Sequence, residues 1–104
     1  MDRIEKLLAF LEQSPKDNFL RHALALEYMK LGRDRQARVL LENLLADDPS
    51  YTGSYYQLAK LLEKTGDTQA AVKWYEQGME YAKKAGERHT YNELQSALEE
   101  LTFE

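Results

Sequence analysis

The chain contains no cysteine, which excludes disulfide staples, thiol catalysis and zinc–thiolate sites and fits a reducing compartment. With 2 prolines and 5 glycines in 104 residues, few positions force a regular element to stop, so long uninterrupted elements are expected. No run approaches the ~20 apolar residues of a membrane-spanning helix. The opening stretch Met1-Asp2-Arg3-Ile4-Glu5-Lys6 carries mixed charge and leads into a short amphipathic run. It lacks the basic start, apolar block and cleavage site of a signal peptide, so no membrane association and a cytoplasmic location are expected. Positive charge is not in excess either: the net charge is −4. Phosphate binding calls for a basic face. The local group Arg33, Arg35 and Arg38 includes Asp34 and reads as a solvated helix start, so nucleic acid is not an expected partner. Histidine occurs only as His22 and His89. His89 and Glu93 share a helix face at i, i+4, but two ligands fall short of a metal site. No nucleophile–base pairing and no Gly-rich phosphate loop is present. No enzyme activity, cofactor or metal is expected.

What is present is a folded-domain composition, 43% hydrophobic and 31% charged, too apolar for a disordered chain. Apolar residues recur with the period of a helix throughout. In Asp2–Gln13 the stripe is Ile4, Leu7, Leu8 and Leu11, and Ser14-Pro15 ends it because the residue before proline is pushed out of the α region. Asn18–Leu31 is apolar over more than one stripe (Phe19, Leu20, Ala23, Leu24, Ala25, Leu26, Tyr28, Met29), as in a helix packed on several sides. Gly32 then stops it. Asp34–Ala46 buries Ala37, Leu40, Leu41, Leu44 and Leu45 and closes at Asp47-Asp48-Pro49-Ser50. Thr52–Lys64 carries Tyr55, Leu58, Ala59, Leu61 and Leu62 and stops at Gly66, after which Asp67 or Thr68 can cap the next helix. Gln69–Lys84 carries Ala71, Trp74, Tyr75, Gly78 and Met79. After Ala85-Gly86 a final helix runs to about Leu101 on the stripe Tyr91, Leu94, Leu98 and Leu101. No segment alternates as a strand does. The short links make consecutive helices antiparallel, and the fold class is all-α.

The chain also repeats itself. At a shift of 34 residues Leu24 falls on Leu58, Ala25 on Ala59, Gly32 on Gly66 and Ala37 on Ala71. Tyr28 pairs with Leu62, Leu41 with Tyr75 and Leu45 with Met79. In the other direction Pro49 falls on Pro15, and Leu41 and Leu45 fall on Leu7 and Leu11. The first helix therefore stands where the second helix of a preceding unit would stand. Small residues at matched positions allow helices to cross closely, and large ones fill the space beside them. A hairpin of this kind cannot bury its apolar face alone, so hairpins stack.

Residues 18–51 and 52–85 resemble two tetratricopeptide repeats. The family's pattern is met by Leu24-Ala25, Tyr28, Gly32, Ala37, Leu41 and Pro49. It is met again by Tyr55, Leu58-Ala59, Leu62, Gly66, Ala71, Tyr75 and Gly78. Three positions depart from it: Arg21, where the family prefers a large apolar residue; Leu44, where it prefers a small one; and Lys83, in place of the closing proline. The resemblance implies one domain: antiparallel hairpins stacked as a short right-handed superhelix, with a leading helix over 1–16 and a capping helix over 87–102. It also implies a protein-interaction module, with a partner's peptide or helix held in a concave groove lined by the first helix of each hairpin. The groove residues would be Phe19, His22, Leu26, Met29 and Lys30 from the first repeat, and Tyr56, Lys60, Glu63 and Lys64 from the second. Phe19, Leu26, Met29 and Tyr56 would be apolar anchors, and Lys30, Lys60 and Lys64 would receive an acidic tail. The alternative for Phe19 and Leu26 is packing against the first helix. The lysine–asparagine clamp that chaperone-binding members use for a terminal carboxylate is absent, because His22, Leu26, Tyr56 and Lys60 stand in its places.

The tyrosines between Tyr51 and Tyr91, with Trp74 among them, offer a second candidate surface, although core packing is the expectation. The carboxylates Glu99, Glu100 and Glu104 read as a solvated face of the cap. The alternative function is a homo-oligomeric assembly protein, a homodimer for example, joined through its terminal helices.

Overall fold

The computed structural model of the chain describes residues 2–103; Glu104 lies outside them. Six helices follow one another: α1 (Arg3–Gln13), α2 (Asn18–Lys30), α3 (Asp34–Asp47), α4 (Gly53–Lys64), α5 (Thr68–Ala85) and α6 (Arg88–Thr102). There is no strand among the described residues. The ends fall where local chemistry puts them. Asp2, Asp17 and Asp67 cap α1, α2 and α5, each side chain accepting from a backbone N–H three residues on, at 2.8, 2.9 and 3.3 Å. Such a cap satisfies one of the amide donors that a helix start leaves over. Gly32 and Gly66 turn each hairpin with φ of +74° and +88°, a conformation in which a side chain is strained. Where Pro49 follows α3, that helix has 14 residues; with Lys83 in the matching place, α5 continues to 18.

The helices gather into two compact units, Met1–Asp48 and Pro49–Glu104. In the first, α2 packs on α1 and on α3. Its core holds Leu7, Leu24, Ala25, Ala37, Leu41, Leu44 and Leu45. In the second, α5 packs on α4 and on α6, around Tyr55, Leu58, Ala59, Leu62, Ala71, Tyr75, Ala82 and Leu94. The four alanines matched by the repeat, Ala25, Ala37, Ala59 and Ala71, are each 0% exposed, as close helix crossings demand. Gly78 provides a closer crossing still. A Cβ placed on it would lie 2.6 Å from the Cβ of Tyr55 on α4 and 3.0 Å from Cδ1 of Leu94 on α6. The missing side chain lets both neighbours seat against α5.

Arg21, the departure from the apolar pattern, is buried. Its Nη1 donates to Asp47 at 2.7 Å, and its Nη2 donates to Asn18 at 2.9 Å and to the carbonyl of Lys16 at 3.1 Å. The position matched to Arg21 in the second unit is Tyr55, and the position matched to Asp47 is Tyr81. These two rings stack at 6.1 Å with 13° between their planes. The Tyr55 hydroxyl donates to the carbonyl of Pro49 at 2.6 Å. In both units, then, the same pair of positions ties a hairpin's first helix to the end of its second and to the turn before it. The first unit does it with an ion pair, the second with stacked aromatics. Trp74 adds a tilted contact to Tyr55 at 6.0 Å, so the tyrosine-rich stretch contributes to the core, as expected.

Candidate functional site

The residues expected to line a groove sit on the first helix of each hairpin, and each is described in its own unit. On α2, Phe19 is 68% exposed, so most of its surface faces solvent rather than a neighbouring helix. His22, Leu26 and Met29 are half-buried. Burial lowers the pKa of His22, since removal from water disfavours the charged imidazole. Lys30 is exposed, and its Nζ lies 3.2 Å from a Glu27 carboxylate oxygen that also takes Arg3 at 3.2 Å.

In the second unit Tyr56 is half-buried on α4 and meets Tyr75 edge-on, with ring centroids 6.4 Å apart and planes at 68°. The Lys60 ammonium stands 5.7 Å from the Tyr56 centroid and 3.6 Å from the Glu63 carboxylate. Lys64 is exposed. The Tyr75 hydroxyl donates to Glu63. Tyr75 is held well above the ordinary tyrosine range, first by burial, then by the bond to Glu63 and by the negative charges of Glu63 and Glu100. A raised value means that the folded state resists ionisation. The stabilisation is complete below the unfolded pKa, near 10, and is lost as pH rises from there toward the folded value. Ultraviolet titration is therefore expected to leave at least one of the 7 tyrosines unionised until the chain unfolds; ionisation of all of them in the folded state would contradict this.

The apolar ring of Tyr56 looks onto a groove of about 400 Å³ whose other wall is α6, through His89, Asn92, Glu93, Ser96, Ala97 and Glu100. The apolar stripe of α6, Tyr91, Leu94, Leu98 and Leu101, does not include this wall, whose polar residues read from the sequence as a solvated cap. The spacing that would have found it is Asn92, Ser96 and Glu100 at i, i+4, i+8, one face of a helix. His89 and Glu93 lie 3.4 Å apart, as their spacing implies. A second concavity of about 360 Å³ lies at the α5–α6 turn, lined by Ala82, Lys83, Gly86, Glu87, Arg88 and Tyr91. Glu87 accepts from the Thr52 hydroxyl and so helps fasten that turn to the start of α4. Among the described residues no group of three or more histidines and carboxylates is placed to hold a metal ion. No helix among them is long and apolar enough to cross a membrane.

Matched hairpins in tandem, with small residues at their crossings, define a helical-repeat protein. The chain belongs to the tetratricopeptide repeat family, whose model matches residues 28–98. It is 28% identical over 98 residues to a TPR repeat-containing protein of Pseudomonas aeruginosa, covering 94% of this chain and 93% of that one. Among solved structures it is similar to a tetratricopeptide repeat domain protein of Salinibacter ruber, with a TM-score of 0.78, 40% identity, and 82% of this chain and 94% of that chain covered. It is similar also to a Bordetella parapertussis protein, with a TM-score of 0.83, 30% identity, and 97% and 88% covered. Tetratricopeptide repeats generally mediate protein–protein interaction, typically without catalysis.

Proposed function

We propose that this chain is a non-catalytic interaction module and that a peptide or helix of a partner protein docks along α4 where α6 borders it. The supporting observation is the groove of about 400 Å³ beside Tyr56, an aromatic wall with polar groups on the facing helix, which is the composition of a recognition site. Lys60, Glu63 and Lys64 flank Tyr56 along α4. On α2, we assign Phe19, His22, Leu26, Met29 and Lys30 the corresponding part in the first unit, with the exposed Phe19 as its apolar anchor. Cytoplasm is the compartment we assign, as a cysteine-free chain favours.

The test is selection of displayed random peptides against the full chain, followed by Ser96→Trp, which fills the groove from an exposed position on α6 without adding charge. Selected peptides are expected to lose affinity roughly tenfold or more, the effect of blocking the centre of an interface. Unchanged affinity for the variant would remove the groove from the function.

A homo-oligomeric assembly is the second reading. It is supported by the exposure of Leu8 and Phe10 on α1 and of Phe103 after α6, large apolar side chains that association through the terminal helices would take out of water. Light scattering decides it: a dimer whose mass holds on dilution favours assembly, and a monomer at all concentrations eliminates it.

A further inference from the structure

We infer that the groove between α4 and α6 recognises a basic side chain, an arginine or lysine presented by the partner's peptide segment. This rests on the groove being the docking site, and it reverses the expectation that the lysines of α4 receive an acidic tail.

The charges at the groove do not balance. Its lining carries Glu93 and Glu100, and Glu63 adjoins Tyr56. The basic group in that lining is His89, whose Nε2 lies 3.4 Å from Glu93; beside Tyr56, Lys60 Nζ lies 3.6 Å from Glu63, and Lys64 stands a turn further along α4, outside the lining. Glu100 lines the cavity and has no ion-pair partner among the described residues. Its negative field reaches Tyr75, whose hydroxyl it helps to hold protonated. An acidic segment entering here would meet uncompensated carboxylate, and a basic one would neutralise it.

The aromatic wall points the same way. Lys60 stands over the Tyr56 ring at 5.7 Å, so the chain itself places a cation on that face. A π face attracts cations through its quadrupole. A guanidinium arriving from the α6 side can stack on the exposed part of the ring and direct its N–H fork at Glu100, the planar bidentate geometry that carboxylates accept from arginine. Asn92 and Ser96, on the same wall, supply acceptors for the remaining donors.

Random peptides selected on the full chain are expected to be enriched in arginine or lysine. In fluorescence anisotropy the selected peptide should bind roughly tenfold more weakly to Glu100→Gln, as when one partner of a charge pair is removed. It should also weaken with added salt. Glu76→Gln, an exposed change on α5, should leave binding unchanged. Glu100→Lys should be rescued by a peptide whose basic residue is replaced with glutamate. Circular dichroism checks that each variant keeps its helices. If selected peptides are blocked by Ser96→Trp but carry no basic residue, or ignore Glu100→Gln, the basic-side-chain proposal falls and the docking reading survives. If they ignore Ser96→Trp, both fall.

Discussion

Gly78→Ala is expected to lower the thermal midpoint of the chain by roughly 10 °C, although alanine is the better helix former. In an exposed helix interior this substitution stabilises by about 1 kcal/mol. At residue 78 the new methyl group would stand 2.6 Å from Cβ and 2.8 Å from Cγ of Tyr55, and 3.0 Å from Cδ1 of Leu94. Tyr55 cannot step aside. Its hydroxyl is bound to the Pro49 carbonyl, and its ring is stacked on Tyr81 and tilted against Trp74. Leu94 is 0% exposed. The helices must therefore move apart, and overpacking of this kind costs ~1–3 kcal/mol or more. A net loss of about 2 kcal/mol corresponds to roughly 10 °C for a chain of this size. Gly53→Ala is the control. Nothing lies within 4 Å of the added atom, and its midpoint should hold or rise slightly. A midpoint for Gly78→Ala at or above that of the parent would show that the crossing has slack. Because α4 and α6 both seat on Gly78, the variant should also widen the groove beside Tyr56 and weaken selected peptides in parallel with stability.

Arg21→Ala is expected to destabilise the chain by about 2–3 kcal/mol in urea unfolding, through three lost hydrogen bonds and a buried stem left unfilled. The guanidinium holds Asp47, Asn18 and the Lys16 carbonyl together, and removal leaves Asn18 with only its bond to Asp48. The paired substitution Arg21→Tyr with Asp47→Tyr installs the arrangement of the second unit and should recover most of the loss. It should also change the response to acid. The bond from Arg21 holds the Asp47 carboxyl below its usual value, against the opposing effect of desolvation, with help from the charges of Lys16 and Arg21. A carboxylate depressed in the folded state contributes stability that is present at neutral pH and lost as pH falls below the ordinary carboxylate range. The parent should therefore lose more stability between neutral pH and acid than the double-tyrosine variant. Identical acid profiles would show that the pair contributes nothing to the pH dependence, and a loss under about 0.5 kcal/mol for Arg21→Ala, the level of an ordinary surface change, would remove it as the fastener of α2.

The fold was legible because its determinants are local or periodic. Caps, turn glycines and the 3.6-residue stripe place each helix to within one or two residues, and the repeat pairs Ala25 with Ala59 and Ala37 with Ala71 before any coordinates are needed. Arg21 was legible only as a departure. Nothing in the spacing of one charged residue states that it will be buried, since that depends on Asp47 arriving from the other end of the hairpin. The groove was half legible. Tyr56 and Lys60 follow from their place on a hairpin's first helix, whereas Asn92, Ser96 and Glu100 lie on the hydrophilic side of α6, which a reading of apolar stripes discards. That side becomes a wall only because α5 holds α4 and α6 on its two flanks.

The matched fasteners, Arg21 with Asp47 and Tyr55 with Tyr81, carry a consequence for how such sequences diverge. Each pair spans the same stretch of chain, and either member makes a weaker contact with a partner from the other pair, a cation–π contact or a lone hydroxyl–carboxylate bond. An arginine facing a tyrosine loses its carboxylate, and a tyrosine facing an aspartate loses its stack. Drift between the two solutions must pass through a weakened hairpin unless both codons change nearly together. Related sequences should therefore hold one pair or the other as a linked haplotype, and mixed combinations should be scarce.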